Sequence, residues 1–367
     1  MKMGKIKTIC FKKLLIILLC TSATNAWAQF TQKRIFERNE PVTKETTLEI
    51  GNKYGTVEIT VWKKDSVYIR TEIEAQAPNQ KRTDKMIKGI NIELSSTKYF
   101  IRAQTEFEKT LNMILENFKG MTNKLIPYDS KVEINYYIQA PPYLNLRVDN
   151  KYGDIFIDQN SGDVNISLSN GSLKANNIAK ASLLKVSFGD VVIKNTGDCN
   201  IDASFSEFII DEAENLRVKS ISSRYDIKQA KSLFLESRRD KLYLGTISSV
   251  TGEYYFTQLR VNRLLTDADL TVRYGDTYIE TIENRFRSVS INSSYNDLTL
   301  NFEPAASYNI EIRTVSTSVM LPVENADIKK DVLNEEKKEY IYTGSVGKNP
   351  GNRKVKINAT RGSILIR

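Results

Sequence analysis

The chain has 367 residues, of which 53 are basic and 44 acidic, and it contains no histidine and only three cysteines. The absence of histidine excludes a Ser-His-Asp triad, a Cys-His pair and a histidine-ligated zinc site. Five of the basic residues lie in the first 28 positions, so the remainder carries only a mild positive excess. This excess is too small and too dispersed to indicate a nucleic-acid partner.

The first 28 residues are predicted to be a secretory signal peptide. A lysine-rich start precedes the apolar run Leu14–Cys20, which is too short to cross a bilayer as a helix. Ala26-Trp27-Ala28 then supplies small residues where a signal peptidase requires them, which places cleavage before Gln29. Lipidation at Cys20 is the alternative, and the two leucines directly before that cysteine disfavour it. After cleavage only Cys199 remains, so no internal disulfide can form.

A short motif recurs along the rest of the chain. It consists of an aromatic or polar residue, then Gly or a small residue, often Asp, and then a strand that alternates apolar and polar residues. The first apolar positions of these strands, 155, 173, 191, 208, 227 and 242, are 15 to 19 residues apart, and positions 277, 298 and 319 are 21 apart. The copies begin at Tyr54, Tyr152, Asn170, Phe188, Phe205, Arg224, Arg239, Tyr274, Tyr295, Ser316 and Arg361, and a degenerate copy is predicted near Tyr254–Val261.

Residues 76–139 interrupt the repeat. A short helix is predicted over 81–88, and the 3, 4, 7, 8 spacing of apolar residues from Phe107 to Phe118 predicts a second, amphipathic helix. Strands are predicted at 90–94, 99–103 and 131–139. The apolar stripe is expected to pack against the end of the repeat region, and partner binding is the alternative. The charged, then glycine-rich stretch 322–352 is predicted to be a surface loop before the last strands.

Each period contains two short runs of strand signature, separated by turn residues. One such unit cannot bury its own apolar face, but stacked copies can. The predicted fold is therefore mostly β, a parallel β-helix or β-solenoid with about 18–21 residues per turn, plus a small α+β insertion near the N-terminus. A large antiparallel sandwich is the alternative. The predicted domains are a signal peptide at 1–28, an N-terminal β region at 29–140 with the helical insertion at about 76–139, and a repeat domain at 141–367.

Four features of the repeat region are candidate sites. The glycine column is expected to supply positive φ in tight corners. It comprises Gly55, Gly153, Gly171, Gly189, Gly275 and Gly362. The aromatic column is expected to be a dry stack that seals a corner, because Phe and Tyr alternate freely in it, and an exposed platform for sugar rings or a partner strand is the alternative. The carboxylate pair Asp267 and Asp269 is predicted to lie in a turn rather than to bind calcium, and the basic cluster Arg238, Arg239 and Lys241 to be a solvated face. The aromatic column comprises Tyr54, Tyr152, Phe188, Phe205, Tyr274 and Tyr295.

Two segments resemble a known family. Residues 132–155, which include Pro141-Pro142 and the run from Leu146 to Ile155, are similar to the exported β-strand-repeat family of putative adhesins, which is related to the head domain of auto-transporter adhesins. The earlier run from Asn52 to Val57 carries the same motif. The resemblance implies a parallel β-helix and an envelope or surface location, and it implies no catalytic residues.

The sequence therefore predicts a non-enzymatic, exported cell-envelope binding or scaffold protein of adhesin-like type, located in the periplasm or at the cell surface. No catalytic, cofactor-binding or metal-binding residues are predicted, and no cofactor. An envelope protein or a glycan is the expected partner. Two alternatives stay open: a carbohydrate-active β-helix enzyme, which would need charged residues converging on one groove, and a periplasmic envelope-stress or assembly factor acting through the insertion.

Overall fold

The computed structural model describes residues 29–109, 111 and 130–367, and these residues are mostly β. The predicted signal peptide lies outside the described residues, as does most of the second predicted helix. Of that helix, Phe107 instead ends a strand, whereas Leu111 is helical and buried. No helix among the residues described is both long and apolar enough to cross a membrane.

The described part of the chain has one helix of defined bounds, α1, at Gln80–Lys88, and 21 strands joined in one sheet. The first eight strands are β1 (Phe30–Pro41), β2 (Thr47–Lys53), β3 (Val57–Val61), β4 (Ser66–Ala77), β5 (Ile90–Ser96), β6 (Phe100–Phe107), β7 (Lys131–Ala140) and β8 (Asn145–Lys151). The long strands are β9 (Ile155–Ser169), β10 (Ser172–Ser187), β11 (Asp190–Ser204), β12 (Glu207–Ile221), β13 (Arg224–Arg238), β14 (Lys241–Tyr255), β15 (Gln258–Ile282) and β16 (Ser288–Phe302). The last five are β17 (Tyr308–Val315), β18 (Ser318–Met320), β19 (Ala326–Asn334), β20 (Glu339–Val346) and β21 (Lys354–Ile366).

The chain divides into two compact units. The smaller one is built from parts of 29–35, 72–91 and 106–133 and contains α1. Asn79 caps this helix by accepting a hydrogen bond from the Arg82 N–H at 2.9 Å, and the helix buries Thr83, Met86 and Ile87. The larger unit comprises Phe36–Thr71, Ile92–Thr105 and Ile134–Arg367.

Parallel pairing of consecutive long strands dominates the larger unit. From β9 to β16, consecutive strands pair in parallel, the first pair being β9 with β10 and the last β15 with β16. We call each of these strands, with the turn residue before it, a rung. The offset between paired residues is 18 from Ile155 to Leu173 and 17 from Phe208 to Tyr225. The alternative predicted from the sequence is an antiparallel sandwich, and that fold does not contain parallel pairs of consecutive strands.

The same positions face the interior in every rung. In β11 to β13 six side chains per strand are buried, and the spacing of two residues between buried positions widens to three at two places in each strand. Burial of aliphatic side chains at these positions is the main source of stability, at about 25 cal/mol for each Å² of apolar surface removed from water. Paired interior positions include Val191, Phe208, Tyr225, Leu242 and Leu259, of which Phe208 and Tyr225 stack at 4.9 Å.

The structure corrects the predicted spacing. Phe208 pairs with Tyr225 rather than with Ile227, and the predicted copy at Arg224 starts instead at Ser222, the residue with positive φ. The offset is therefore 17 from β11 to the first part of β15, shorter than the predicted 18–21, whereas Thr277 and Leu298 are 21 apart. The error arose because Tyr225 and Ile227 are both buried and both follow the two-residue alternation.

The end of the chain also differs from the prediction. Strand β21 lies between β16 and β17, so Leu298 pairs with Ile364, and Val319 pairs with Ile364 from the other side. The predicted surface loop at 322–352 is wrong, because β19 and β20 form an antiparallel hairpin and β20 pairs with β17. Alternating residues of this segment, such as Tyr340 and Tyr342, fit a strand despite the high charge around them.

Candidate functional site

One column of turn residues runs across the rungs of the larger unit, and every residue in it has positive φ. In eight of these residues, from Tyr54 to Phe256 along the column, the backbone N–H bonds to a carbonyl of the neighbouring strand, as from Tyr152 to Ser169 at 2.9 Å and from Phe188 to Ser204 at 3.1 Å. Positive φ is uncommon for residues other than glycine and costs about 1–3 kcal/mol where the surrounding structure enforces it. The column, which we call the turn column, comprises Tyr54, Tyr152, Asn170, Phe188, Phe205, Ser222, Arg239, Phe256, Tyr274, Tyr295, Ser316 and Arg361.

Seven of these twelve residues are aromatic, and the largest aromatic exposures in the column belong to three phenylalanines. Phe188 is 58% exposed, Phe205 55% and Phe256 52%. Phe188 and Phe205 stack at 5.0 Å between ring centroids with planes 3° apart. The prediction of a dry corner stack is therefore wrong. The side chain of a residue with positive φ at this turn points away from the interior, and Phe replaces Tyr without being buried.

Stacking occurs in separate runs rather than along the whole column. Tyr54 stacks on Tyr152 at 5.6 Å. On the later rungs Phe256 stacks on Tyr274 at 4.9 Å, and Tyr274 stacks on Tyr295 at 5.0 Å. Asn170, Ser222 and Arg239 separate the runs. The aromatic side chains of the two later runs are therefore exposed to solvent.

The glycines next to the column have a different role from the one predicted. Of the predicted glycine column only Gly362 has positive φ, because the residue before each glycine makes the turn. Glycine is required instead by close backbone approach between rungs. A Cβ on Gly171 would lie 1.9 Å from the carbonyl oxygen of Gly153, and one on Gly153 would lie 1.9 Å from that of Gly55.

Where glycine is absent, small polar residues fill the same position and form a buried strip around Asp240. The Asp240 carboxylate accepts hydrogen bonds from the hydroxyl of Ser220, the hydroxyl of Ser237 at 2.6 Å and the backbone N–H of Ser223 at 2.7 Å. Asp240 is 1% exposed, and its burial raises the pKa of the carboxyl above the usual value, although these hydrogen bonds act in the opposite direction. A carboxyl enclosed in this way has no access to a substrate.

The carboxylate pair and the basic cluster do not form a site. Asp267 and Asp269 lie within β15 rather than in a turn, and Asp267 forms an ion pair with Arg287. Arg238 and Lys241 are exposed on either side of the rung boundary, and Arg239 is a member of the turn column. No group of three or more Cys, Asp or Glu side chains that could hold a metal ion occurs among the described residues.

Sequence reasoning missed part of the column. Phe256 lies in the degenerate copy, where Thr257 replaces glycine and no Asp follows, and Ser222 was displaced by the register error. The signal that could have identified both is the 17-residue interval itself. Counted from Phe188 it falls on Phe205, Ser222, Arg239 and Phe256.

No protein-family model matches the chain, and no curated protein matches it. Three solved structures are similar to it at low sequence identity. A putative adhesin from Parabacteroides distasonis shares 11% identity with a TM-score of 0.36, covering 74% of this chain and 97% of that one. A putative adhesin from Parabacteroides merdae shares 10% identity with a TM-score of 0.36, covering 73% and 92%. A putative cell adhesion protein from Clostridium sporogenes shares 10% identity with a TM-score of 0.21, covering 92% and 99%.

All three are described as putative adhesins or cell adhesion proteins. At such identities and TM-scores no function is carried over to this chain.

Proposed function

We propose that this chain is a non-enzymatic, exported cell-envelope binding protein of adhesin-like type, and that the aromatic residues of the turn column are its contact surface. The observation that carries the proposal is that aromatic residues occupy strained, exposed positions. Neither burial nor backbone preference favours Phe or Tyr there, because Asn or Gly would adopt positive φ at lower cost. Stacking between neighbouring rings offsets part of that cost, about 0.5–1.5 kcal/mol per pair.

The proposal includes a β-solenoid as the scaffold. The parallel pairing of consecutive strands and the repeated interior positions support it, since each rung then contacts only its neighbours. Residues 141–367 would be the repeat domain, and 29–140 an N-terminal β region that carries the insertion at about 76–139. A rigid stack that repeats one exposed side chain per rung suits weak contacts made many times over, because linked contacts raise avidity without a deep pocket.

The carbohydrate-active enzyme is less well supported. Among the described residues, Asp240 is the carboxyl with a raised pKa, and it is enclosed within the larger unit. The assembly factor acting through residues 76–139 is tested by deleting that segment and measuring binding. Loss of binding with the turn column intact would favour it.

Phe188→Ser combined with Phe205→Ser is expected to reduce binding of protein-coated beads to intact bacterial cells or to a mucin-coated surface by about tenfold or more. Each bead binds through many copies of the protein, so a small loss of affinity per copy becomes a large loss of avidity. The free energy of unfolding should fall by only about 1 kcal/mol, the value of an exposed aromatic pair. Bead retention under flow and urea unfolding measure the two effects.

The matched control is Val192→Ser combined with Ile209→Ser. These residues lie on the same two rungs, are paired in register and are 37% and 38% exposed, but they stand outside the turn column. Equal loss of binding in both double variants would show general surface apolarity rather than a contact surface at the column. Unchanged binding in the Phe188 and Phe205 variant would refute the proposed role of the column.

A further inference from the structure

A polar groove lies on the outer face of β15, β16, β21 and β17, directly beside the turn column. Its volume is about 370 Å³, within the range of about 300–1,000 Å³ that is usual for ligand sites. Two ranks of side chains line it, each rank in register across four adjacent strands. The first rank is Thr271, Asn292, Asn358 and Arg313, and the second is Arg273, Ser294, Thr360 and Val315.

Hydroxyl and amide groups dominate this lining. The Asn358 side-chain amide donates to the Asn292 side-chain oxygen at 2.9 Å. This bond leaves the Asn292 amide hydrogens and the Asn358 side-chain oxygen for a ligand. Ser294 and Thr360 each add a hydroxyl that can donate and accept. Such a mixture of short donors and acceptors, repeated from strand to strand, matches the hydroxyl groups of a sugar chain.

Positive charge at the groove is only partly neutralised. Arg313 donates to the Glu339 carboxylate at 2.9 and 2.6 Å, so its charge is balanced. Arg273 lies 5.7 Å from the Tyr255 ring centroid, and Arg361, in the turn column at the rim, lies 4.9 Å from that of Tyr295. Within the part of the chain that the structure describes, neither Arg273 nor Arg361 has a carboxylate at ion-pair distance. Two guanidinium groups are therefore held by aromatic rings and retain their charge.

Aromatic side chains border the same groove. Tyr274 and Tyr295 follow Arg273 and Ser294 directly in the chain and are 44% and 43% exposed. Tyr274 stacks on Tyr295, and Arg361 covers the next face of Tyr295 and donates to its hydroxyl. The rim thus offers apolar ring edges beside the polar lining.

We infer that this groove binds an acidic glycan, a sugar chain that carries carboxylates. Arg273 and Arg361 bind its carboxylates, because a guanidinium pairs with a carboxylate through two parallel hydrogen bonds. The amides and hydroxyls of Asn292, Asn358 and Thr360 bind its hydroxyl groups. This inference names a ligand class for the proposed binding function and rests on that function.

Calorimetric titration of the purified protein with a polygalacturonate hexasaccharide tests the inference, with a neutral dextran hexasaccharide of equal length as comparison. Binding of the uronate and none of dextran is expected, weakening as salt is raised. Arg273→Ala and Arg361→Ala should each weaken uronate binding about tenfold, the effect of losing one charge-assisted hydrogen-bonded contact. Arg273→Lys should restore only part of the affinity, because an ammonium is a point charge without the fork geometry.

Arg238→Ala is the matched control. Arg238 pairs in register with Tyr255, which pairs with Arg273, so it occupies the same column two strands away and lies outside the groove. Its variant should bind the uronate like the unaltered protein. The inference would be overturned by absence of uronate binding or by equal affinity for dextran. Equal effects of Arg238→Ala and Arg273→Ala would also overturn it, as would tighter binding of a single-stranded oligonucleotide titrated in the same way. Failure here with the bead-binding difference intact would leave the proposed function standing.

Discussion

Gly171→Ala is expected to lower the free energy of unfolding by about 3 kcal/mol, the upper end of the usual cost of overpacking. The added Cβ would lie 1.9 Å from the carbonyl oxygen of Gly153 on the neighbouring rung. That atom belongs to the backbone of the turn between β8 and β9, which the hydrogen bond from the Tyr152 N–H to the Ser169 carbonyl holds in place, so it cannot move away freely. Urea unfolding monitored by circular dichroism measures the loss.

Two further substitutions test whether Gly171 is required by the close approach of two backbones or by the geometry of the turn. Gly51→Ala places its Cβ 3.2 Å from the side chain of Gln104, which can move, so the free energy of unfolding should change by less than about 0.5 kcal/mol. Gly171→Asn should destabilise at least as strongly as Gly171→Ala, although Asn tolerates positive φ. If the Asn variant were as stable as the unaltered protein, glycine would be serving the turn, and the close-approach account would fail.

Asp240→Ala is expected to cost about 2–3 kcal/mol, because it leaves the buried Ser223 N–H without its acceptor. Asp240→Asn should cost less than about 1 kcal/mol at neutral pH. Its oxygen can still accept from Ser223, and the Ser220 and Ser237 hydroxyls can rotate to accept from its amide. Equal destabilisation by Ala and Asn would show that the carboxylate charge itself, rather than its acceptor oxygens, stabilises the strip.

Asp240 is also expected to make the free energy of unfolding depend on pH, with a definite sign. Burial raises the pKa of Asp240 in the folded state above its ordinary value of 3.8. Between the unfolded and folded pKa values the folded protein holds a proton that the unfolded chain has released. The contribution of Asp240 is therefore complete below the unfolded pKa and is lost as pH rises through the folded pKa. The stability of Asp240→Asn relative to the unaltered protein should accordingly increase from pH 4 to pH 7. A constant difference would contradict the raised pKa.

Much of the larger unit could be predicted because its turns are local and recur. The copies at Tyr152, Phe188 and Tyr274 carry the motif in full, and each coincides with a residue of positive φ in the structure. The register at Tyr225 could not be assigned from alternation alone, since a shift of two residues leaves every apolar side chain on the same face. The insertion of β21 between β16 and β17 is a pairing between distant segments and leaves no local signal.

The candidate surface was harder to predict than the strands. Sequence reveals that Phe188 and Phe205 recur at one position, but not on which side of the turn their rings lie. The φ angle of the turn residue decides that question. Asp240 was also hard to predict, for the opposite reason. A charged residue is expected at the surface, but hydrogen bonds within a cluster of serine and threonine hydroxyls allow Asp240 to be buried.

Labelling of intact cells with a membrane-impermeant amine reagent tests the proposed adhesin-like function most directly. Lys228 and Lys231 each have a side chain that is 68% exposed, so folded protein at the surface can react. The account predicts labelling comparable to a known surface protein while a periplasmic control stays unlabelled. Labelling only after the outer membrane is permeabilised would confine the chain to the periplasm and contradict the adhesin-like function.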